Sequence, residues 1–151
     1  MSIINMAKNI KELEPKSVLC FKSGSFYHCY GRDAYILSYM FDYKITTIKE
    51  SNILSSGFPQ NALNKVMARL ENKKINYLII EPRDNYNVNY KMDFKNLNRY
   101  NEIYLKANKY VKLVVRINNL SDSLKKDIEK EDTIEKIRRM EEIVYGKKGK
   151  V

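Results

Sequence analysis

The period of apolar and polar positions changes several times along this chain, and each change marks an element. Ile3, Ile4, Met6, Ile10 and Leu13 lead into Glu14-Pro15. This predicts a short helix ended by the proline, which biases the residue before it away from helical backbone. Residues 18–22 and 26–30 are two strand-like runs separated by Ser23-Gly24-Ser25, the chemistry of a hairpin in which Gly24 takes a positive φ. Gly31-Arg32-Asp33 breaks the second strand and offers Asp33 as N-cap for a helix reaching about Asp42. Its apolar residues Ile36, Leu37, Met40 and Phe41 recur at helical spacing. Residues 43–49 are β-branched and strand-like. The polar stretch 50–59, with Ser55-Ser56-Gly57, reads as a loop.

Downstream, Leu63, Val66, Met67 and Leu70 form one face of a helix over 61–72, with Lys65, Arg69, Lys73 and Lys74 elsewhere. Residues 75–81 are a near-continuous apolar run, typical of a central strand covered on both faces. Pro82-Arg83-Asp84-Asn85 turns the chain. Tyr86, Val88, Tyr90, Met92 and Phe94 then alternate with polar residues, which predicts a half-buried strand paired back on 75–81. Tyr100, Ile103, Tyr104, Ala107, Tyr110, Val111, Val114 and Ile117 keep one buried helical face, ended by Asn118-Asn119. Ser121 or Asp122 caps a further short piece bearing Leu124 and Ile128. A last helix begins at Asp132 or Thr133, carries Ile134, Ile137, Met140, Ile143 and Val144 on one side, and stops at Gly146. Its early acids and later Arg138 and Arg139 suit the helix dipole. The expected fold class is α/β, a mixed sheet of about five strands with packed helices and one or two C-terminal helices. Residues 1–97 form the α/β domain, 98–146 a helical extension packed on it, and 147–151 a basic, mobile tail.

Composition adds a partner to this picture. The chain has 151 residues, enough for a real core, and its 44% hydrophobic and 30% charged content is globular. Its net charge of +10, from 28 basic and 18 acidic residues, favours a polyanion such as nucleic acid. Cys20 and Cys29, the two cysteines, fall on the two hairpin strands and read as buried thiols of a cytoplasmic protein rather than a disulfide. With His28 the sole histidine, a metal site is not expected, nor is any cofactor. No apolar run approaches the ~18 residues of a membrane span. Enzymatic readings are poor. There is no G-x-x-x-x-G-K-[ST] phosphate loop. Asp42-Tyr43-Lys44 with Asp33 only imitates a nuclease pattern at a length expected by chance.

Gly24-Ser-Phe26-Tyr-His28-Cys-Tyr-Gly-Arg-Asp33-Ala34 resembles the signature G-D-F-Y-E-x-F-x-x-D-A of the N-terminal domain of MutS mismatch-repair proteins. Ser56-Gly57-Phe58-Pro59, followed by an amphipathic helix, is similar to that family's A-G-I-P-Y-H-A element. The resemblance spans about residues 15–95 and implies a MutS domain I-like fold. In the family, the aromatic of F-Y-E stacks on a mispaired base from the minor groove, and the glutamate hydrogen-bonds that base. Phe26 matches the aromatic, and His28 stands at the glutamate position. An aromatic wedge survives that exchange, because insertion needs only a flat apolar ring. The exchange bears on mismatch selectivity, since imidazole both donates and accepts and gains charge at low pH. The bland alternative is that Phe26 packs in the hairpin and His28 bonds locally. Lys22, Arg32, Lys44 and Lys49 flank the hairpin as candidate phosphate anchors, although each alone is more often a solvated surface charge.

The sequence therefore points to a non-enzymatic nucleic-acid-binding module for distorted or mismatched DNA, or for RNA or an RNA–DNA hybrid. The alternative is a protein-interaction adaptor whose C-terminal helices dock on a larger repair or reverse-transcriptase protein, as in the accessory factors of diversity-generating retroelements, or on a second copy.

Overall fold

A computed structural model of the chain describes residues 2–81 and 88–146. The turn expected at 82–85, Tyr86 and the tail 147–151 lie outside the described residues. The chain forms two compact units, Met1–Val111 and Lys112–Val151.

The first unit is a six-stranded mixed sheet in the order β3-β4-β2-β1-β5-β6 with helices on both faces. Helix α1 (Ile3–Leu13) is N-capped by the Ser2 hydroxyl, which accepts from the Asn5 N–H at 3.2 Å. β1 (Val18–Ser23) and β2 (Phe26–Tyr30) pair antiparallel with Ser23 opposite Phe26, so Gly24 and Ser25 alone make the turn. Gly24 takes φ +61°, as the turn requires. α2 (Arg32–Phe41) follows directly. β3 (Ile45–Ile48) is an edge strand. After α3 (Leu63–Asn72), β5 (Tyr77–Ile80) runs parallel to β1 and is buried throughout, as its apolar run predicts. β6 (Val88–Met92) pairs antiparallel with β5 in the expected direction, but as an edge strand it is mostly exposed and only Met92 is half-buried.

The stretch 50–59 corrects the sequence reading. Ile53–Pro59 is strand β4, paired with β2 on one side and β3 on the other. Ser55 and Ser56 are buried in it. Their small polar side chains looked like loop chemistry, but two neighbouring ladders satisfy the backbone, and tertiary pairing overrides a weak strand propensity.

Alternation divides the sheet's side chains cleanly. Val18, Cys20, Tyr27, Cys29, Phe58 and Ile79 pack under α2, α3 and the N-terminal part of α4 (Leu97–Lys126). Leu19, Phe21, Leu78 and Ile80 pack on the other face, against Ala7, Ile3 and Ile10 of α1. The Cys20 and Cys29 thiols are buried and free, with their sulfurs 3.3 Å apart. Of the tyrosines assigned to the buried face of α4, Tyr100 is fully buried, whereas Tyr104 and Tyr110 are half-buried.

Asp33 is not the N-cap of α2. Gly31 is, at φ +60°, and Asp33 lies in the first turn with its side chain turned inward, 2% exposed. Its carboxylate accepts from Lys11 Nζ of α1 at 2.8 Å, from the Tyr100 hydroxyl of α4 at 2.5 Å and from the Leu19 N–H of β1 at 3.1 Å. Lys11 also donates to the Ser17 carbonyl at 2.6 Å and lies 4.4 Å from the Tyr100 ring centre. Burial raises the Asp33 pKa, partly offset by Lys11 and the other donors. Ionisation of this group therefore costs the fold stability: its contribution is most favourable below the usual carboxylate range and is lost as pH rises through the raised value.

The second unit contains the C-terminal part of α4 and α5 (Glu131–Tyr145). The break expected at Asn118-Asn119 is absent. α4 runs through it as one 30-residue helix, because two asparagines lower helix propensity without removing an N–H as proline does. α5 begins one to two residues before the expected start, with Lys130 as N-cap and the Thr133 hydroxyl donating to the Asp127 carbonyl at 2.6 Å. It ends at Gly146 (φ +83°), as expected.

Asp33→Asn keeps the shape but leaves Lys11 without its countercharge and sets an amide where three donors converge. It should lower unfolding stability by about 2–3 kcal/mol, discounted from a fully buried pair because Lys11 is partly exposed. Tyr100→Phe, which removes one donor, should cost about 1–1.5 kcal/mol. Urea midpoints measure both, and an unchanged midpoint for Asp33→Asn would show that the junction contributes nothing.

Candidate nucleic-acid interface

Phe26, His28 and Tyr30 alternate with Tyr27 and Cys29 along β2. Since Tyr27 and Cys29 point into the core under the helices, the other three share the opposite face. They form a row of rings. Phe26 and His28 are 6.2 Å apart between centroids with an interplanar angle of 23°, and His28 and Tyr30 are 6.4 Å apart at 20°. The row continues to Phe21 on β1, 5.9 Å from Tyr30. Helix α1 packs over Phe21, with Tyr30 at the margin of that cluster. Towards the turn the cover thins: His28 is half-buried, and Phe26 is 44% exposed at the first position of the strand.

Gly57 of β4 makes room for the middle ring. It stands opposite His28 in the register, and a Cβ there would meet His28 Nδ1 at 2.8 Å and the Tyr27 carbonyl oxygen at 2.9 Å. The backbone contact cannot be relieved by a side-chain rotation, so this position admits only glycine without a shift of the strand. Burial lowers the His28 pKa below the ordinary histidine value. The ring is therefore neutral at neutral pH, able to donate from one nitrogen and accept at the other.

The basic residues do not gather around Phe26 as a group. Lys22 pairs with Tyr27 across the hairpin and so lies on the opposite face from Phe26, with its ammonium 3.9 Å from a Glu81 carboxylate oxygen. Arg32 is exposed at the start of α2, its guanidinium 4.9 Å from the Tyr104 ring centre. Lys44 and Lys49 are exposed at the two ends of edge strand β3. Tyr30, as the third ring of the row, was missed by sequence reasoning. The only available signal was the i, i+2, i+4 spacing of three rings on one strand.

The residues that imitate a nuclease are otherwise engaged. Asp33 is closed into its contacts with Lys11, Tyr100 and Leu19, and Asp42 accepts from the Tyr110 hydroxyl at 3.2 Å at the C-cap of α2. Among the described residues, no cluster of three or more His, Cys, Asp and Glu side chains is placed to hold a metal ion. Among the same residues, no helix is long and apolar enough to cross a membrane.

Among curated proteins, none matches the chain. The family model of MutS domain I matches residues 2–100, from the cap of α1 through β6 to the first turn of α4. The sheet, α1, α2, α3 and the aromatic hairpin all lie within that span, and the chain belongs to the MutS domain I family.

Proposed function

We propose that this protein is a non-enzymatic module that binds distorted or mismatched duplex, of DNA or of an RNA–DNA hybrid, with Phe26 as an aromatic wedge. Family membership supports a DNA-binding module related to mismatch recognition. The observation that carries the finer proposal is the exposure of Phe26: an aromatic ring at the turn end of a strand, left out of the core that buries Tyr27 beside it. A ring in that position can enter a base step that is already weakly stacked, where unstacking costs least. His28 lies beside it as a neutral polar ring that can bond a base edge. Arg32, Lys44 and Lys49 are exposed and suited to phosphate contact. Lys22, across the hairpin and near Glu81, is the weakest of the four anchors.

The second unit favours a second proposal, an adaptor role. Thr133 is its only buried side chain among the described residues, whereas Ile117, Ile134, Ile143 and Val144 are all more than half exposed. Scattered apolar residues need no explanation, but this many on one helical pair marks an interaction surface. Its partner would be a larger repair or reverse-transcriptase protein, or a second copy of the chain.

Phe26→Ala should weaken binding to a mismatched duplex by about 1–3 kcal/mol, roughly 5- to 150-fold, and affect regular duplex far less. Fluorescence anisotropy on mismatched duplex, regular duplex, single strand and RNA–DNA hybrid, titrated with salt, measures this. Equal loss on both duplexes, or none, removes the wedge. Charge reversal at Lys44 and Lys49 should reduce the salt slope of binding without changing the preference for distortion. For the adaptor, truncation after Ser121 should leave the first unit folded by circular dichroism but abolish association with the partner or second copy, read by light scattering. A truncated chain that still associates counts against it.

A further inference from the structure

On the face of the sheet that carries the aromatic row, α1, β1, β2, β4 and the start of α2 line a half-open pocket of about 270 Å³. Its walls are Leu19, Phe21, Tyr30 and Ile53, and Lys8 and Arg32 stand among the lining residues as cations. Lys11 and Asp33 also line it, but they pair with each other at 2.8 Å. Lys8 is exposed and makes no ion pair among the described residues, whereas the Arg32 guanidinium already lies against the Tyr104 ring, 4.9 Å from its centre. The pocket is thus an apolar recess in which Tyr30 is the half-buried ring, Phe21 being 1% exposed beneath α1, and Lys8 is the uncommitted positive charge. Its volume falls just below the ~300–1,000 Å³ of pockets that hold drug-sized ligands, a fit to one base with its sugar.

The pocket is continuous with the candidate interface, because Tyr30 belongs to both. It is the third ring of the row, 6.4 Å from His28, and a wall of the chamber, 5.9 Å from Phe21. A strand held at Phe26 would be led along His28 to this chamber. The ligand must then be flat, apolar on its faces and anionic at its edge. We infer that the pocket is a nucleotide subsite, seating one unstacked base against Tyr30 and Ile53 with its phosphate towards Lys8. With a nucleic-acid strand as the source, it rests on the wedge proposal above; a free nucleotide presents the same chemistry.

The full chain is titrated with a duplex containing one unpaired adenosine and with the same duplex carrying an abasic bulge. Wild type should bind the adenosine bulge about five- to tenfold more tightly, the lower end of base–aromatic stacking. Ile53→Phe, which fills the chamber, and Lys8→Glu, an exposed change on α1 that leaves folding intact, should each shrink that ratio towards one. Phe26→Ala should weaken both complexes and preserve the ratio. Equal affinity for the two bulges overturns the subsite. If both still exceed regular duplex and both fall with Phe26→Ala, the wedge stands alone. If wild type shows no preference for any distorted duplex, the wedge fails, and deoxyadenosine monophosphate decides the subsite. Amide shifts at Ala7, Tyr30 and Ile53 that Lys8→Glu diminishes sustain it with a free nucleotide as source. No shifts, or the same shifts with decanoate, overturn it.

Discussion

A buried carboxylate at the start of α2 ties this domain together. Taking an ion out of water costs several kcal/mol, and three donors offset part of that cost for Asp33: a lysine of α1, a tyrosine of α4 and a backbone N–H of β1. These donors come from elements on both faces of the sheet. The α1 helix covers one face; α2 and the N-terminal part of α4 cover the other. One side chain therefore fixes the two layers against the strand between them. Hydrophobic burial supplies most of the stabilisation, but it is non-directional. The carboxylate adds a directional tie between α1 and β1, and α1 reaches across the sheet as far as Tyr30.

That reach decides what is left open. Helix α1 packs over Leu19, Phe21, Leu78 and Ile80 and stops at Tyr30, so the turn half of β2 has no helix above it. On the opposite face the same strand is sealed by Tyr27 and Cys29. The hairpin is anchored by its covered side and presents rings on its uncovered side. The gap between α1 and the β2–α2 corner becomes the pocket that ends the row. Gly57 belongs to the same arrangement, since the absence of a side chain on β4 is what allows the His28 ring to lie between Phe26 and Tyr30.

Much of this was legible in the residues because the signals were local. The Ser23-Gly24-Ser25 turn, the apolar run before Glu81 and the stop at Gly146 each depend on a few neighbouring positions, and each is where the chain predicts it. What escaped is what depends on distance. Asp33 looks like a cap because caps are local; Lys11 lies 22 residues before it and Tyr100 67 after, and no pattern links them. β4 looks like a loop because Ser55, Ser56 and Gly57 have poor strand propensity, and only the strands on either side supply the pairing that overrides it. The site was legible as far as Phe26 and His28, which the motif names. Its four lysine and arginine candidates share only their proximity to the hairpin along the chain. Strand alternation then put Lys22 on the wrong face for a shared surface with Phe26.

The histidine at the motif's glutamate position changes what such a surface can select. A carboxylate beside the wedge would repel phosphate everywhere and so penalise undistorted duplex. Burial holds His28 neutral, so the imidazole neither repels the backbone nor, at neutral pH, attracts it. On the wedge proposal, discrimination then falls to shape: how readily a base step opens for Phe26, and whether an unstacked base finds a further ring beyond it. A row of three aromatic rings ending in a chamber favours nucleic acid with a base already out of its stack. It gives less advantage to a mispair that remains stacked, because every ring after the first is useful only to a base that has left the helix.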